Sequence, residues 1–248
     1  MGEIIVFTSG KGGVGKTTSI ANIGAGLSQL DKKVVMLDTD MGLRNLDVVM
    51  GLENQINYNL LDLLENKCRL QQALIRDKAF PNLYLIPASL KNPSMEQYKI
   101  QFQQLISQLN RSFDYCLIDC PAGIEQGFYF AISVADRAII LTTPQISAVK
   151  DAGRVLKILS ETGIRKIELI INDYDNKMVR KHYMLSKEDI SELFDIPILG
   201  TIPHDYKVMV SQNSGLPVIS MRSKATKSFL LLSRQMSKEI NWEGERLL

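Results

Sequence analysis

Short apolar runs alternate with longer amphipathic stretches along most of this chain. Residues Glu3–Thr8 (EIIVFT) are apolar and rich in β-branched side chains, as a strand buried on both faces should be. Beyond the glycine-rich segment that follows, apolar residues recur at Ile20, Ile23, Leu27 and Leu30, the spacing of a helix. Further runs predict strands over Val34–Asp38, Leu83–Pro87, Tyr115–Asp119, Ala138–Thr142, Glu168–Asn172 and Ile198–Ile202. Helical stretches separate most of them. One follows Pro144, with Val149, Ala152, Leu156 and Leu159 on one face and Lys150, Asp151, Arg154 and Lys157 largely on the other; another is expected from Leu43 to Met50.

This alternation predicts an α/β fold of three layers, a mainly parallel twisted sheet with helices on both faces. Right-handed crossovers then bring the strand C-termini, and any site they carry, to one edge. No internal repeat, low-complexity tract or interdomain linker breaks the pattern, so residues 1–248 read as a single domain.

The segment after the first strand carries the chemistry. Gly10-Lys11-Gly12-Gly13-Val14-Gly15-Lys16-Thr17-Thr18 contains Gly-x4-Gly-Lys-Thr between a predicted strand and a predicted helix, the setting a phosphate-binding loop needs. Its glycines let backbone N–H groups approach phosphate oxygens, and the helix N-terminus adds partial positive charge. Lys16 is placed for the β- and γ-phosphates, the Thr17 hydroxyl for Mg²⁺, and Thr18 for the α-phosphate. A dinucleotide fold fits less well, because the Lys-Thr pair has no role there and the G-x-G-x-x-G spacing is missing. Lys11 is extra. A lysine so early in the loop points away from its own phosphates, which suits it to phosphates held by a second copy of the chain.

Carboxylates complete the site. Asp119 closes the Tyr115–Asp119 run and suits the role of holding Mg²⁺ through water. Asp38 ends its own strand and can hold Mg²⁺ waters or Lys16; Asp40, two residues on, can orient an attacking water or serve as a turn residue. Gly123, just past Pro121, can sense a γ-phosphate by moving its N–H.

These residues resemble the deviant Walker-A ATPases of the ParA–MinD superfamily. Thr8–Thr18 and Asp119-Cys120-Pro121-Ala122-Gly123-Ile124-Glu125 match that superfamily broadly, while Gly42-Leu43-Arg44-Asn45-Leu46-Asp47 is narrower and resembles its MinD branch. Weaker similarity runs from Ile4 to about Leu232. The resemblance implies ATP and Mg²⁺ as cofactors, Lys11 as the lysine that crosses a dimer interface, Asp40 as the residue that positions water, and Asp119 as the Walker-B acid. It also implies that Asn172, with Pro203, His204 and Asp205, holds the base.

The implied function is an ATP-dependent dimerising switch that helps place the cell-division septum. It would be an ATPase, slow alone, partner-activated, and cycling between an ATP-bound dimer and an ADP-bound monomer. Division-inhibitor and activator proteins similar to MinC and MinE are the implied partners, with Asp151 and Arg154 as candidate docking residues and the membrane surface as a further partner. The alternative is a ParA-like ATPase that positions DNA or other cargo, for which Arg222, Lys224, Lys227, Arg234 and Lys238 form a modest basic cluster. A metabolic kinase or ligase would need substrate groups beyond the loop, and no constellation of them stands out.

Two features depart from the pattern. Asp173 stands where the family usually has a basic residue, and the tail 241–248 is too short and acidic for a membrane-targeting helix. Composition narrows the rest. A net charge of +2 argues against strong nonspecific nucleic-acid binding. No run is long and apolar enough to span a bilayer. The chain begins almost directly with a strand rather than a signal peptide, so the expected location is the cytoplasm, with peripheral membrane contact on its inner face. Cys68, Cys116 and Cys120 contain no C-x-x-C, which argues against disulfides and an iron–sulfur site, and His182 and His204 are too isolated for a metal centre.

Overall fold

A computed structural model describes residues 2–237. Its sheet has eight strands: β1 (Glu3–Thr8), β2 (Val34–Asp38), β3 (Ile75–Arg76), β4 (Leu83–Ile86), β5 (Tyr115–Asp119), β6 (Arg137–Thr142), β7 (Lys166–Tyr174) and β8 (Ile198–Pro203). Their spatial order is β3-β4-β2-β5-β1-β6-β7-β8. Every neighbouring pair is parallel except β3 with β4. The helices that shape the site are α1 (Lys16–Gln29), α2 (Leu46–Val49), α3 (Lys99–Ser112), α4 (Gln126–Ile132), α5 (Ile146–Ser160), α6 (Tyr206–Asn213) and α7 (Lys224–Met236).

Strand side chains alternate between two cores, which is why the strands read as unbroken apolar runs. Ile4, Val6, Val35, Leu37 and Ile118 pack with Phe102 of α3, Phe128 of α4 and Val155 of α5. Ile5, Phe7, Met36, Leu117 and Ile139 pack with Ile20 and Ile23 of α1 and Phe229 of α7 on the opposite face. Phe102 and Phe130 stack with centroids 4.1 Å apart, a contact worth about 0.5–1.5 kcal/mol beyond the area it buries. On the other face α1 and α7 touch at Gly26, where a methyl group would lie 2.2 Å from Ser233 Oγ. The Ser233 hydroxyl lies within hydrogen-bond reach of two carbonyls, Phe229 O at 2.9 Å and Ile23 O at 3.2 Å, which fixes the crossing.

Several boundaries differ from the sequence reading. β6 begins at Arg137 rather than Ala138, because the guanidinium is buried in an ion pair with Glu168 of neighbouring β7 (Nε–Oε2 2.6 Å). A paired arginine can occupy a core position that composition alone assigns to solvent. β7 runs on to Tyr174, and β3 is too short to show a periodicity. The helix expected from Leu43 is confined to Leu46–Val49, since Gly42 (φ 94°) and Arg44 (φ 51°) adopt left-handed backbone ahead of it. In α5, Val149, Ala152 and Leu159 are buried as expected and Leu156 packs partly buried against the same core, with Val155 as a further, fully buried member. Lys238 of the basic cluster and the tail 241–248 lie outside the described residues.

Candidate functional site

The parallel strands deliver the loops after β1, β2, β5, β7 and β8 to one edge of the sheet. The loop after β1 turns through Gly13 (φ 77°) and Gly15 (φ 94°), backbone that a side chain would strain. Gly15 is the N-cap of α1, and no side chain caps that helix or places a carboxylate in its first turn. Its N-terminal N–H groups and positive dipole end are therefore left for an anion. Neighbours clamp the loop from outside. A methyl on Gly10 would lie 2.3 Å from the Asp151 carbonyl of α5, and one on Gly15 would lie 2.2 Å from Asn172 Nδ2. Ser9 Oγ donates to Lys11 O at 2.8 Å. Gly12 and Gly13 remain exposed at the mouth.

The two lysines of the loop differ sharply. Lys16 is 8% exposed and lies close enough to Asp40 and Asp119 to counter, without overcoming, the rise that burial gives both carboxyls. Lys11 is exposed and makes no ion pair among the described residues.

Thr17 Oγ1 donates to Asp119 Oδ2 at 2.7 Å. Asp119 Oδ1 is buried without a hydrogen-bond partner among the described residues. Burial pushes the Asp119 carboxyl up to about 6, against the pull of Lys16 and Thr17. A hydroxyl, an unsatisfied carboxylate oxygen and a nearby ammonium together fit a magnesium–phosphate group, which Thr17, Asp119 and Lys16 would hold.

Asp38 and Asp40 divide their tasks. Asp38 sits opposite Asp119 in the β2–β5 register and is fully buried. Burial and the Asp119 charge raise its carboxyl to about 8. Its oxygens accept the backbone N–H groups of Asp40 (2.9 Å) and Leu46 (3.3 Å). Asp38 thereby fixes the loop that carries Asp40 and supplies the cap that α2 lacks from its own N-cap residue. Asp40 itself is half-buried, with its carboxyl raised by burial and held back by Lys16. Arg44 (Nη2 2.6 Å from Asp47 Oδ2) locks the far side of the same loop.

The loop after β5 is tied to the phosphate loop, for Gly123 (φ 89°) donates its N–H to Ser9 O at 3.0 Å. A cavity of about 410 Å³ separates it from the Asp40 loop, lined by Asp40, Met41, Pro93, Pro121, Ala122 and Gly127, so both loops have room to shift. Cys120 is fully buried, and burial pushes its thiol up to about 12, which leaves it inert.

Residues expected around the base gather at the ends of β7 and β8. Asn172 Nδ2 donates to Val14 O at 2.8 Å, leaving its carbonyl oxygen and one N–H for a ligand. His204 donates its backbone N–H to Tyr174 O (3.1 Å), which ties the Pro203–Asp205 segment to β7. The Asp205 carboxylate is already committed. It caps α6 through Lys207 N (3.0 Å) and α7 through Lys224 N (2.9 Å) and Ala225 N (3.2 Å). Its partial burial raises its carboxyl, but these donors and Ser223 outweigh that and leave it low. The Asp205 carboxylate is therefore spent within the protein, and what the segment still presents is its backbone and the exposed His204 side chain.

Asp173 adopts left-handed backbone (φ 58°) and meets His204, with Oδ1 2.6 Å from Nδ1. The hydrogen bond and charge of Asp173 raise the His204 imidazole above its ordinary value. The pair is complete while His204 is protonated and is lost as pH rises through that elevated midpoint. In Asp173→Asn the His204 midpoint, followed by NMR titration of the ring protons, should fall back toward ~6.5; an unmoved midpoint would show that Asp173 does not set it. One polar contact had no signal in sequence: Gln212 of α6 donates from Nε2 to Thr18 Oγ1 at 2.6 Å.

Glycine loop, uncapped helix and facing acids at adjacent strand ends define a phosphate-loop NTPase. A family profile described as an AAA domain matches residues 2–170. A septum site-determining protein MinD from a Synechocystis species is 49% identical over 219 residues, covering 88% of this chain and 82% of that protein. The MinD of an Aquifex aeolicus MinC:MinD cell-division complex superimposes with a TM-score of 0.87 at 40% identity, covering 98% of each chain. MinD from Pyrococcus horikoshii, solved with Mg-ADP, gives a TM-score of 0.85 at 30% identity, covering 96% of this chain and 97% of that one. The chain belongs to the MinD family of septum site-determining ATPases.

Proposed function

We propose that this ATPase works as a dimerising switch in septum placement, binding ATP with Mg²⁺ between two facing subunits and separating after hydrolysis. The observation that carries this reading is Lys11: exposed, without an ion-pair partner among the described residues, and on a loop whose neighbouring glycines leave its mouth open. In this reading the loop N–H groups and Lys16 hold the β- and γ-phosphates, Thr17 and Asp119 hold Mg²⁺, and Asn172 with the Pro203–Asp205 backbone holds the base. Bound Mg²⁺ supplies charge neutralisation at the phosphates. Asp40, next to Lys16 but not bonded to it, orients water, and Asp38 keeps Asp40 in place.

Readers of the dimer would include a division inhibitor of the MinC type, as in the Aquifex complex, and an activator of the MinE type. Asp151 backs directly onto Gly10 and is joined at 3.2 Å to the exposed Arg154 on α5, so a partner docked there would feel the state of the loop. Membrane attachment would rise with dimerisation as two weak contacts act together. Among the described residues no helix is long and apolar enough to cross a membrane.

The test is nucleotide-dependent binding to an immobilised MinC-type inhibitor and to anionic-lipid vesicles. Inhibitor capture and vesicle co-sedimentation should both appear with ATP and Mg²⁺ and fade with ADP; equal capture of the inhibitor in both nucleotide states would contradict the switch.

A further inference from the structure

We propose that Gln212 is a positioning residue for the nucleotide, acting by setting the direction of the Thr18 hydroxyl proton. The proposal rests on the reading above, that Thr18 faces the α-phosphate. Thr18 stands in the first turn of α1 and is 8% exposed. Its side chain leans back toward the helix N-terminus, as helical side chains do, and so toward the phosphate loop. Gln212 Nε2 lies 2.6 Å from Thr18 Oγ1. An amide nitrogen can only donate, so the threonine oxygen is the acceptor in this contact. The single proton of the hydroxyl is thereby excluded from the Gln212 side. It is left to donate in another direction, and in this proposal that direction is the terminus of α1, which no side chain caps.

A hydroxyl with a free rotor would lose that freedom on meeting phosphate. One already receiving a hydrogen bond is oriented beforehand, and polarisation by its donor strengthens the bond it gives. The support for Gln212 is stiff. Helix α6 is capped at its start by Asp205, whose carboxylate also binds the first turn of α7. Just past its C-terminus, Gly215 packs against Gly51, which follows α2, so closely that a methyl on Gly51 would lie 2.5 Å from Gly215 O. The helix that carries Gln212 thus begins at the expected base segment and ends beside the element fixed by Asp38. No other hydrogen bond described among residues 2–237 joins its side chain to α1.

The decisive comparison measures Mg-ADP affinity by calorimetry on Thr18→Ala, Gln212→Met, Gln212→Glu and the double variant Thr18→Ala/Gln212→Met. Thr18→Ala should weaken binding roughly tenfold or more, the scale of a hydrogen bond to a charged group. Gln212→Met keeps shape but loses the donor, and should weaken binding about two- to fivefold, a fraction of that same bond. Gln212→Glu should be worse than Gln212→Met, because a carboxylate can only accept and turns the Thr18 proton away from the ligand. In the double variant the methionine should add nothing to Thr18→Ala. If Thr18→Ala weakens binding while Gln212→Met does not, or if the methionine effect persists without the hydroxyl, Gln212 has no positioning role and the phosphate reading stands. Gln212→Glu binding as well as the unaltered chain would also overturn the proposal, since it would mean that the amide carbonyl faces Thr18. If Thr18→Ala binds Mg-ADP normally, the phosphate reading fails and takes the proposal with it.

Discussion

Replacing Lys11 by alanine should abolish ATP-dependent dimerisation and, with it, hydrolysis. Lys11 is exposed and pairs with no acid among the described residues, so its removal costs the folded monomer little; exposed charges contribute at most a fraction of a kcal/mol to stability. In the dimer each lysine would bond to an anionic ligand in a seam that excludes water. A hydrogen bond to a charged group is worth ~1.5–3 kcal/mol, and two are lost per dimer. The expected penalty is about 3–6 kcal/mol, or roughly two to four orders of magnitude in the dimer dissociation constant. Light scattering with ATP and Mg²⁺ checks this, with a thermal melt of the monomer as control. Normal dimerisation by the variant would remove the lysine from the seam.

Asp40→Ala should do the opposite, keeping the ATP-bound dimer and losing turnover. Asp40 makes no ion pair with Lys16 among the described residues; burial raises its carboxyl and Lys16 offsets only part of that rise, which suits a group that accepts a proton or orients water. A positioned acid–base group typically contributes 10²–10⁴-fold, and a loss of about that size in phosphate release is expected. Asp38 should behave differently, because its oxygens hold backbone rather than solvent. Turnover by Asp40→Ala at the unaltered rate would show that water is oriented by another group.

Most of the fold is legible in the sequence because strands buried on both faces leave unbroken β-branched runs. Glu3–Thr8, Val34–Asp38 and Tyr115–Asp119 appear with the expected limits. The phosphate loop is legible because its glycines and Lys-Thr pair have few other uses in a strand-to-helix turn. What escapes is set by tertiary contact. Arg137 enters a strand because Glu168, set diagonally to it on β7, and Glu3 of β1 pair with its guanidinium. The helix before Met50 is cut short by a left-handed Arg44 that no pattern announces. Asp205 reads as a base ligand by position, but its carboxylate is spent on two helix starts far apart in sequence. Gln212 carries no motif and meets Thr18 across 194 residues. Such pairings depend on where helices land, which periodicity does not encode.

The central claim is that nucleotide joins two copies of this chain. Sedimentation velocity of the full chain with Mg²⁺ and a non-hydrolysable ATP analogue, beside the same protein with Mg-ADP, tests it most directly. A species of twice the 27.9 kDa chain mass should form with the analogue and dissociate with ADP. A monomer at saturating analogue, with binding confirmed by calorimetry, would contradict the account.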